Sequence, residues 1–255
     1  MSAAWALALA AAADPAPICT DRPAKANAVC TVPPGEFQVE SSAIGWAQSG
    51  DGGTRTTLLY VGSSVMKYGV DRRSDLQLGF TPYLRFKNRE AGRQEVISGI
   101  GDLTIRYKYR LTDGERPVQV AIIPFIKVPT AKRGMGNRRV EGGLAVPISF
   151  TLSGPVALTL GPEVDVLADG DGAGRHAALI NLVNLAATVV PRLTIAGELW
   201  SNINFDPAGT ARQASADAAV AYALSDRVQI DGGVNAGLTR HTPDIEFYAG
   251  FSFKL

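Results

Sequence analysis

The chain has 255 residues, enough for one large β domain, and a formal net charge of +1. This near-neutral balance argues against a nucleic-acid partner, because nucleic-acid-binding proteins neutralise many phosphates with basic residues. Beyond the N-terminus no apolar run reaches the ~18 residues of a membrane-spanning helix, and mean hydropathy is only +0.06. The chain is therefore neither a basic nucleic-acid-binding domain nor a helical membrane protein.

The first residues read as a targeting segment. An apolar stretch runs from Trp5 to Leu9 and continues into the small residues Ala10 to Ala13. This composition predicts a signal peptide, residues 1–13, cleaved near Ala13, although a basic n-region is missing. The alternative is a buried N-terminal helix, which Pro15 would not let continue.

Residues 14–36 form a short segment that contains both cysteines, Cys19 and Cys30. In an exported protein, two cysteines at this spacing favour a disulfide that closes a small loop. A lipid anchor on Cys19 and a metal pair are the alternatives, but two thiolates alone are too few for zinc. The segment enters the interior of the following domain or forms an exposed periplasmic tether, and the sequence leaves both open.

From residue 37 onward the sequence alternates between apolar and polar residues with period 2, as in strands whose two faces meet different surroundings. About twelve segments have the ~9–11 residues that a tilted membrane strand needs. They are residues 37–47, 56–70, 76–87, 102–111, 118–128, 140–152, 156–167, 177–189, 193–202, 214–224, 227–239 and 244–255.

The last segment carries the strongest signal. Between Asp244 and Leu255, one face is almost entirely apolar and the other is mostly polar or small. A strand that closes a barrel has its edge paired with the first strand, so a terminal position exposes no edge. This segment therefore predicts a closed barrel.

The connections between the segments alternate in length. Tight turns are predicted at 71–74, 112–115, 153–154, 191–192 and 225–226, and longer polar loops at 48–55, 88–101, 129–139, 168–176 and 205–213. Outer-membrane barrels show this asymmetry, whereas a soluble sandwich or lipocalin-like barrel has no reason to keep it. The prediction is an all-β protein. Residues 37–255 would form a single transmembrane antiparallel up-and-down β-barrel of about 12 strands, with both termini periplasmic.

Two motifs support a family resemblance. Asp21-Arg22-Pro23-Ala24-Lys25 matches a D-R-P-x-K stretch, and residues 33–40 match P-x-G-x-x-Q-x-E before the first strand. The chain resembles proteobacterial outer-membrane barrels described as transporters or as putative components of the meta-pathway of phenol degradation. The resemblance implies location in the outer membrane and passage of small molecules, aromatic or hydrophobic compounds among them.

The C-terminus also resembles the signal that the barrel-assembly machinery reads. Gly250 and Phe253 match that signal, while Leu255 stands where a terminal aromatic is usual. The resemblance implies the assembly machinery as a partner.

If the odd residues of the terminal strand face lipid, charged residues elsewhere face the lumen. The basic set predicted to do so is Arg85, Lys87, Arg106, Lys108 and Arg110, and the acidic set is Glu163, Asp165, Glu198, Asp217, Asp231 and Glu246. Opposed basic and acidic walls would orient or select permeating solutes. The alternative is a network of ion pairs that only satisfies buried charges.

A basic loop, Lys132 to Arg139, is the candidate contact for lipopolysaccharide phosphates, because Arg and Lys match phosphate well. The alternative is an ordinary solvated loop. The outer-membrane lipid is an expected partner in either case.

Catalysis is not expected. The two histidines, His176 and His241, both fall in predicted loops, and neither a G-x-S-x-G elbow nor an H-E-x-x-H motif is present. Asp169 and Asp171 alone are weak evidence for Ca²⁺, so no metal or cofactor is expected. The sequence thus predicts a channel for passive diffusion of small solutes through a narrow charged lumen. The alternative is a closed structural or adhesion barrel that acts through its loops.

Overall fold

The computed structural model describes residues 17–113 and 116–255, and every regular element within them is a β-strand. The predicted signal peptide, residues 1–13, lies outside the described residues. The strands are β1 (Phe37–Asp51), β2 (Thr54–Gly69), β3 (Ser74–Phe80), β4 (Tyr83–Glu90), β5 (Arg93–Gly99), β6 (Leu103–Arg110), β7 (Val118–Val128), β8 (Glu141–Ala145), β9 (Ile148–Ser153), β10 (Val156–Leu160), β11 (Glu163–Ala168), β12 (Arg175–Val190), β13 (Leu193–Asn204), β14 (Ala211–Ser225), β15 (Val228–Gly237) and β16 (Ile245–Lys254).

The strands close into an antiparallel barrel. The first strand, β1, pairs with β2 on one side and with the last strand, β16, on the other. Four positions around the wall are each filled by two strands in succession, namely β3/β4, β5/β6, β8/β9 and β10/β11, so the sixteen strands occupy twelve positions. The predicted barrel of about 12 strands is confirmed. Closure pairs the backbone groups without help from water.

Proline explains three of the four interruptions. Pro82 separates β3 from β4, Pro147 separates β8 from β9, and Pro162 separates β10 from β11. Proline has no N–H to donate to a ladder, so a strand that contains it breaks its hydrogen bonding there. The fourth interruption falls at Gly101, between β5 and β6.

The barrel exposes apolar side chains on its outer face and buries polar ones inside. Phe247, Phe251, Leu199 and Leu185 are among the exposed large apolar residues, whereas Gln38, Lys67 and Lys108 are buried. This inverted distribution is the one expected when the outer face meets lipid. Among the described residues, no helix is long and apolar enough to cross a membrane.

Two of the predicted long loops are wrong. β1 and β2 run through most of residues 48–55 and are joined at Gly52 and Gly53, which both have positive φ. β5 lies within 88–101 and is joined to β4 at Ala91 and Gly92, again with positive φ. β5 escaped prediction because polar residues occupy both of its faces, which removes the apolar period.

The two ends of the barrel differ. We call the end that carries the β2–β3, β6–β7, β9–β10, β12–β13 and β14–β15 connections, together with Leu255, the turn end. The opposite end, which carries the β1–β2, β4–β5, β7–β8, β11–β12, β13–β14 and β15–β16 connections, is the loop end. The candidate site lies between them, in the lumen.

Candidate functional site

Residues 17–36, which we call the plug, lie inside the barrel at its turn end. Cys19 and Cys30 form a disulfide with an S–S distance of 2.04 Å, so the predicted bridge is confirmed. Ile18 donates its backbone N–H to the carbonyl of Asp226, in the β14–β15 turn, at 2.9 Å. Val32 is completely buried. Of the two placements left open by the sequence, the structure has the one inside the lumen.

Asp21 anchors the plug to the basic side of the wall. Its carboxylate lies 2.6 Å from Nζ of Lys67 on β2 and 2.8 Å from Nζ of Lys108 on β6. Lys67 also pairs with Glu40 on β1. Burial by itself would raise the pKa of Asp21, but the two ammonium groups outweigh it and hold that pKa far below its usual range. Asp21 is therefore a fixed negative charge between two buried cations.

Arg22 anchors the plug to the acidic side. Its guanidinium reaches the carboxylate of Asp231 on β15 at 2.5 Å, with a second N–H···O contact at 3.1 Å. The room comes from Gly250, since a Cβ there would lie 2.3 Å from Arg22 Nη2 and 2.2 Å from the carbonyl oxygen of Ser41. A side chain at position 250 would displace the guanidinium.

Lys25 extends the contact with the acidic side. Its ammonium pairs with Asp217 on β14 and lies 5.2 Å from the ring centroid of Trp200. The backbone N–H groups of Lys25 and Ala26 donate to the carboxylate of Glu198 on β13 at 3.1 and 3.0 Å. The loop closed by the disulfide thus presents both a cation and backbone donors to the acidic wall.

The ends of the plug are held by further buried contacts. Gln38 donates to the carbonyl of Cys19 at 2.5 Å, the N–H of Val32 donates to Asp75 at 3.0 Å, and Lys254 pairs with Glu36 at 2.8 Å. Because these contacts come from β1, β3 and β16, the plug is tied to the wall on several sides.

Most of the predicted lumen residues do face inward, and several of them hold the plug. Lys108, Glu198 and Asp231 do so as described above, and Arg106 bonds to Asn27 of the plug. The predicted basic and acidic walls exist, but they are neutralised through the plug, which presents Asp21 to one and its cations to the other.

The remaining inward charges form no hydrogen bond or ion pair with the described residues of the plug. Glu246 accepts hydrogen bonds from Tyr60 and Asn235, each at 2.8 Å. Glu163 and Asp165 stand on the inner face of β11, opposite Ala145 and Gly143. Arg110 donates to the carbonyl of Arg72 at the turn end. The positions of these residues do not test a role in transport, so their part in solute selectivity stays a prediction.

Arg85 and Lys87 do not face the lumen, contrary to the prediction. Across neighbouring strands, Arg85 is opposite Leu59 and Leu59 is opposite Trp46. Trp46 is in turn opposite Phe247, which is exposed on the outer face. Directly opposed residues share a face, so Arg85 is on the outer face, and Lys87 two residues later is too. The alternation changes phase at the break around Pro82: odd residues face inward on β3 and even residues on β4.

The two halves of the lumen differ in exposure. Next to the plug, the inward Gln77 and Lys108 are 0% exposed. Toward the loop end, Tyr60, Glu163 and Asp165 remain half-buried. Within the described residues, the plug therefore covers the inward side chains of the turn half of the lumen and leaves those of the loop half partly exposed.

The contacts that fix the plug were the main element missed by sequence reasoning. Lys67, Asp75 and Glu40 were not singled out, although each binds the plug. The sequence did contain a signal for these contacts. Asp21, Arg22 and Lys25 belong to the D-R-P-x-K motif, and Glu40 is the last residue of the P-x-G-x-x-Q-x-E motif. Charges inside a disulfide loop that complement charges on strands indicate such docking.

His176, near the start of β12, pairs with an acidic residue of the preceding loop. His176 Nδ1 lies 2.8 Å from the carboxylate of Asp169. Among the described residues, no three His, Cys, Asp or Glu side chains cluster as a metal site would require.

The sequence matches the model of a known protein family. A family model described as "Putative MetA-pathway of phenol degradation" matches residues 20–255. A search of curated proteins returned no match to the sequence.

Similar solved structures are outer-membrane barrels. An outer-membrane channel from Pseudomonas putida F1 has a TM-score of 0.71 at 14% identity, covering 89% of this chain and 98% of that one. The NanC porin has a TM-score of 0.57 at 12% identity, covering 86% and 100%. The translocator domain of the autotransporter NalP from Neisseria meningitidis has 0.54 at 9%, covering 86% and 88%. At these identities the likeness shows the outer-membrane β-barrel fold.

Proposed function

The chain belongs to the family described as "Putative MetA-pathway of phenol degradation", and on that premise we propose that it is an outer-membrane channel for passive diffusion of small solutes, with the plug as its constriction. The fold supports the location, because a closed barrel with an apolar outer face satisfies its backbone within lipid. Because the family description refers to phenol degradation, aromatic compounds are the first solutes whose permeation should be measured.

The observation that carries the proposal is the placement of the plug. The plug, which precedes β1, covers the turn half of the lumen, and within residues 17–113 and 116–255 no barrel strand crosses the lumen. Ion pairs and hydrogen bonds hold the plug in place, and the disulfide between Cys19 and Cys30 lies within it. Movement within the plug would therefore change the pore without disturbing the wall.

We also propose that the turn end is periplasmic and the loop end faces outward. Short turns on the periplasmic side and longer extensions outside are usual in bacterial barrels. The plug and Leu255 both lie at the turn end, as expected for a chain exported through the periplasm.

Single-channel recording in planar bilayers tests the proposal. Wild-type protein should give small ohmic steps, and Asp21→Asn, which removes the charge between Lys67 and Lys108, should give larger or more frequent openings. Asp51→Asn is the matched control, because Asp51 is exposed at the β1–β2 hairpin, at the end of the barrel opposite the plug. It should behave as wild type.

The buried charge pairs also favour a second candidate, a closed structural barrel that acts through its loops, since they leave Lys67 and Lys108 almost no contact with solvent. If wild type and Asp21→Asn are both heat-modifiable and insert into bilayers, but neither conducts, the closed barrel is established and the channel proposal is overturned.

A further inference from the structure

The outer face of the barrel carries an unexpected row of cations near the loop end. Leu84 lies opposite Tyr60, which faces the lumen, so Leu84 and the even residues after it on β4 face inward. The odd residues of β4, which face outward, include Arg85, Lys87 and Arg89. Arg55 on β2 lies opposite Arg89. We call Arg55, Arg85, Lys87 and Arg89 the outer basic face.

This face begins where the apolar belt ends. Arg85 is level with Leu59 and Trp46, and the Trp46 ring stacks on Phe247 at 6.4 Å. Interfacial aromatic residues sit at the depth of lipid headgroups. Tyr83, 40% exposed, precedes Arg85 on the same face. Arg85 thus stands at the depth where headgroup phosphates occur.

The row extends over the headgroup layer. From Arg85 to Arg89, four residues add ~13 Å along the strand, or ~10 Å along the membrane normal at a tilt near 40°. The headgroup layer on one side of a bilayer is ~5–8 Å thick. Arg85 and Lys87 therefore lie within reach of headgroups, and Arg89 reaches their outer edge.

The cations of the outer basic face have no anionic partner. Within residues 17–113 and 116–255, none of the four forms an ion pair. The outward residues of β5 opposite them are Gln94, Val96 and Ser98. Glu95 lies opposite Asn88 and so belongs to the inward phase. Glu90, at the tip of the hairpin, lines a groove together with Arg55 and Arg89. The four cations of this face therefore exceed the one carboxylate beside them.

The arrangement is costly without a ligand. Arg55 and Arg89 are directly opposed like charges, which destabilise a sheet. They line a groove of about 480 Å³ at the tips of the two hairpins, together with Glu90, Arg93 and backbone glycines. A single tetrahedral anion between two guanidinium groups would relieve this repulsion, because Arg matches phosphate with paired N–H donors.

The loop after β7 lies against the inner face of β5 and not against the outer basic face. Lys132 Nζ donates to the backbone carbonyl of Ser98 at 2.8 Å. The stem of Lys132 lies where a Cβ on Gly99 would stand, 2.6 Å from Lys132 Cβ, and Gly99 lies opposite the inward Leu84. Lys132, from the loop predicted to meet lipopolysaccharide, therefore adds no charge to the outer basic face.

We propose that the outer basic face is a binding site for the phosphate groups of an anionic lipid in the leaflet at the loop end. On the orientation proposed above, with the loop end outward, the occupant is a phosphorylated glycolipid of the class that forms the outer leaflet. Its acyl chains would lie on the apolar belt below Arg85, while its phosphates meet Arg85, Lys87 and Arg89. Arg55 completes the contact from the neighbouring strand β2.

The test is titration of the refolded barrel, in a non-ionic detergent, with bis-phosphorylated lipid A, followed by isothermal calorimetry. The variant is Arg85→Gln/Lys87→Gln/Arg89→Gln. Each cation contributes about fivefold near an anionic surface, so we expect the triple variant to bind about 100-fold more weakly. The matched control, Arg72→Gln/Arg116→Gln/Arg227→Gln, removes the same charge from exposed residues at the turn end and should bind as wild type.

Two further arms identify the source of the phosphate and separate this proposal from the channel. Inorganic phosphate at the same concentration should not displace lipid A, because it lacks the acyl chains; full displacement would assign the face to a soluble anion and overturn the lipid site. Equal weakening in both variants, or no binding by wild type, would also overturn it. The triple variant should retain heat-modifiability and wild-type conductance, so failure of the channel proposal leaves this test intact.

Discussion

The two halves of the lumen have the same alternating pattern in sequence and opposite environments in the structure. In the turn half, charged side chains such as Lys67 and Lys108 are at most 1% exposed because the plug covers them. In the loop half, Glu163 and Asp165 face the lumen by the same alternation but are only half-buried. An inward polar residue is therefore structural where the plug reaches it and free to meet solutes where the plug does not.

The largest effect is expected on removing a buried partner of the plug. Arg22→Met leaves the carboxylate of Asp231, whose side chain is 0% exposed, without its guanidinium. Breaking a buried pair by removing one member costs about 3–5 kcal/mol. Hydrogen-exchange mass spectrometry should show the plug losing protection while the strands keep theirs.

A second ion pair in the same protein provides the control. Arg73 and Asp113 pair at the turn end with side chains 44% and 61% exposed. Such a pair contributes about 0–1 kcal/mol, so Arg73→Met should leave the plug protected. Equal loss of protection in Arg22→Met and Arg73→Met would contradict the division between halves.

The disulfide should come next in magnitude. Replacing Cys19 and Cys30 with serine frees the loop that holds Asp21, Arg22 and Lys25 in position, at a cost of about 2–3 kcal/mol. We expect faster exchange in the plug and more frequent channel openings, and dithiothreitol should reproduce both in the wild type but change nothing in the serine variant. Unchanged exchange on reduction would show that the ion pairs alone hold the plug.

A substitution in the loop half tests whether its wall is equally sensitive. Gly45 lies under Tyr60, and a Cβ there would be 1.9 Å from Tyr60 Cζ. Gly45→Ala should displace Tyr60 from Glu246 and cost about 1–3 kcal/mol, read as a lower unfolding temperature in a gel-shift assay. Gly197→Ala is the control, since a Cβ there meets nothing within 4 Å. A wild-type unfolding temperature for Gly45→Ala would mean that Tyr60 moves at no cost.

Charges in the loop half should matter for selectivity and little for stability. Glu163→Gln/Asp165→Asn removes two inward carboxylates that do not touch the plug. The reversal potential in asymmetric salt should shift toward anions, while exchange in the plug stays as in wild type. A plug that loosens in this variant would show that the two halves are coupled.

The smallest effect is expected from pH. The pKa of Asp21 is lowered, so its contribution to docking is full above its ordinary value of 3.8 and is lost only as pH falls through the depressed one. Exchange in the plug, corrected for the intrinsic pH dependence of exchange, should be the same at pH 8 and pH 5. A loss of protection between these values would mean that another group controls docking.

Sequence reasoning recovered the wall well and the lumen only in part. The period of 2 in the segment ending at Leu255 and in most others predicted the strands, because alternation is a local property of the chain. It failed at Arg85 and Lys87, since the two-residue break at Thr81 and Pro82 reverses the phase of β4 relative to β3. The interruption was visible as a proline, but its effect on phase depends on how the neighbouring strands realign.

By itself the sequence determined the closed barrel, through alternation and an apolar terminal strand, and the disulfide, through two cysteines in an exported chain. Only the tertiary structure decided that residues 17–36 enter the lumen and that Asp21 meets Lys67 and Lys108. The reason is distance along the chain: Arg22 and Asp231 are more than two hundred residues apart, and closure of the barrel brings them within 2.5 Å. A local pattern specifies which face a residue takes, whereas its partner across the lumen depends on the register of every strand between them.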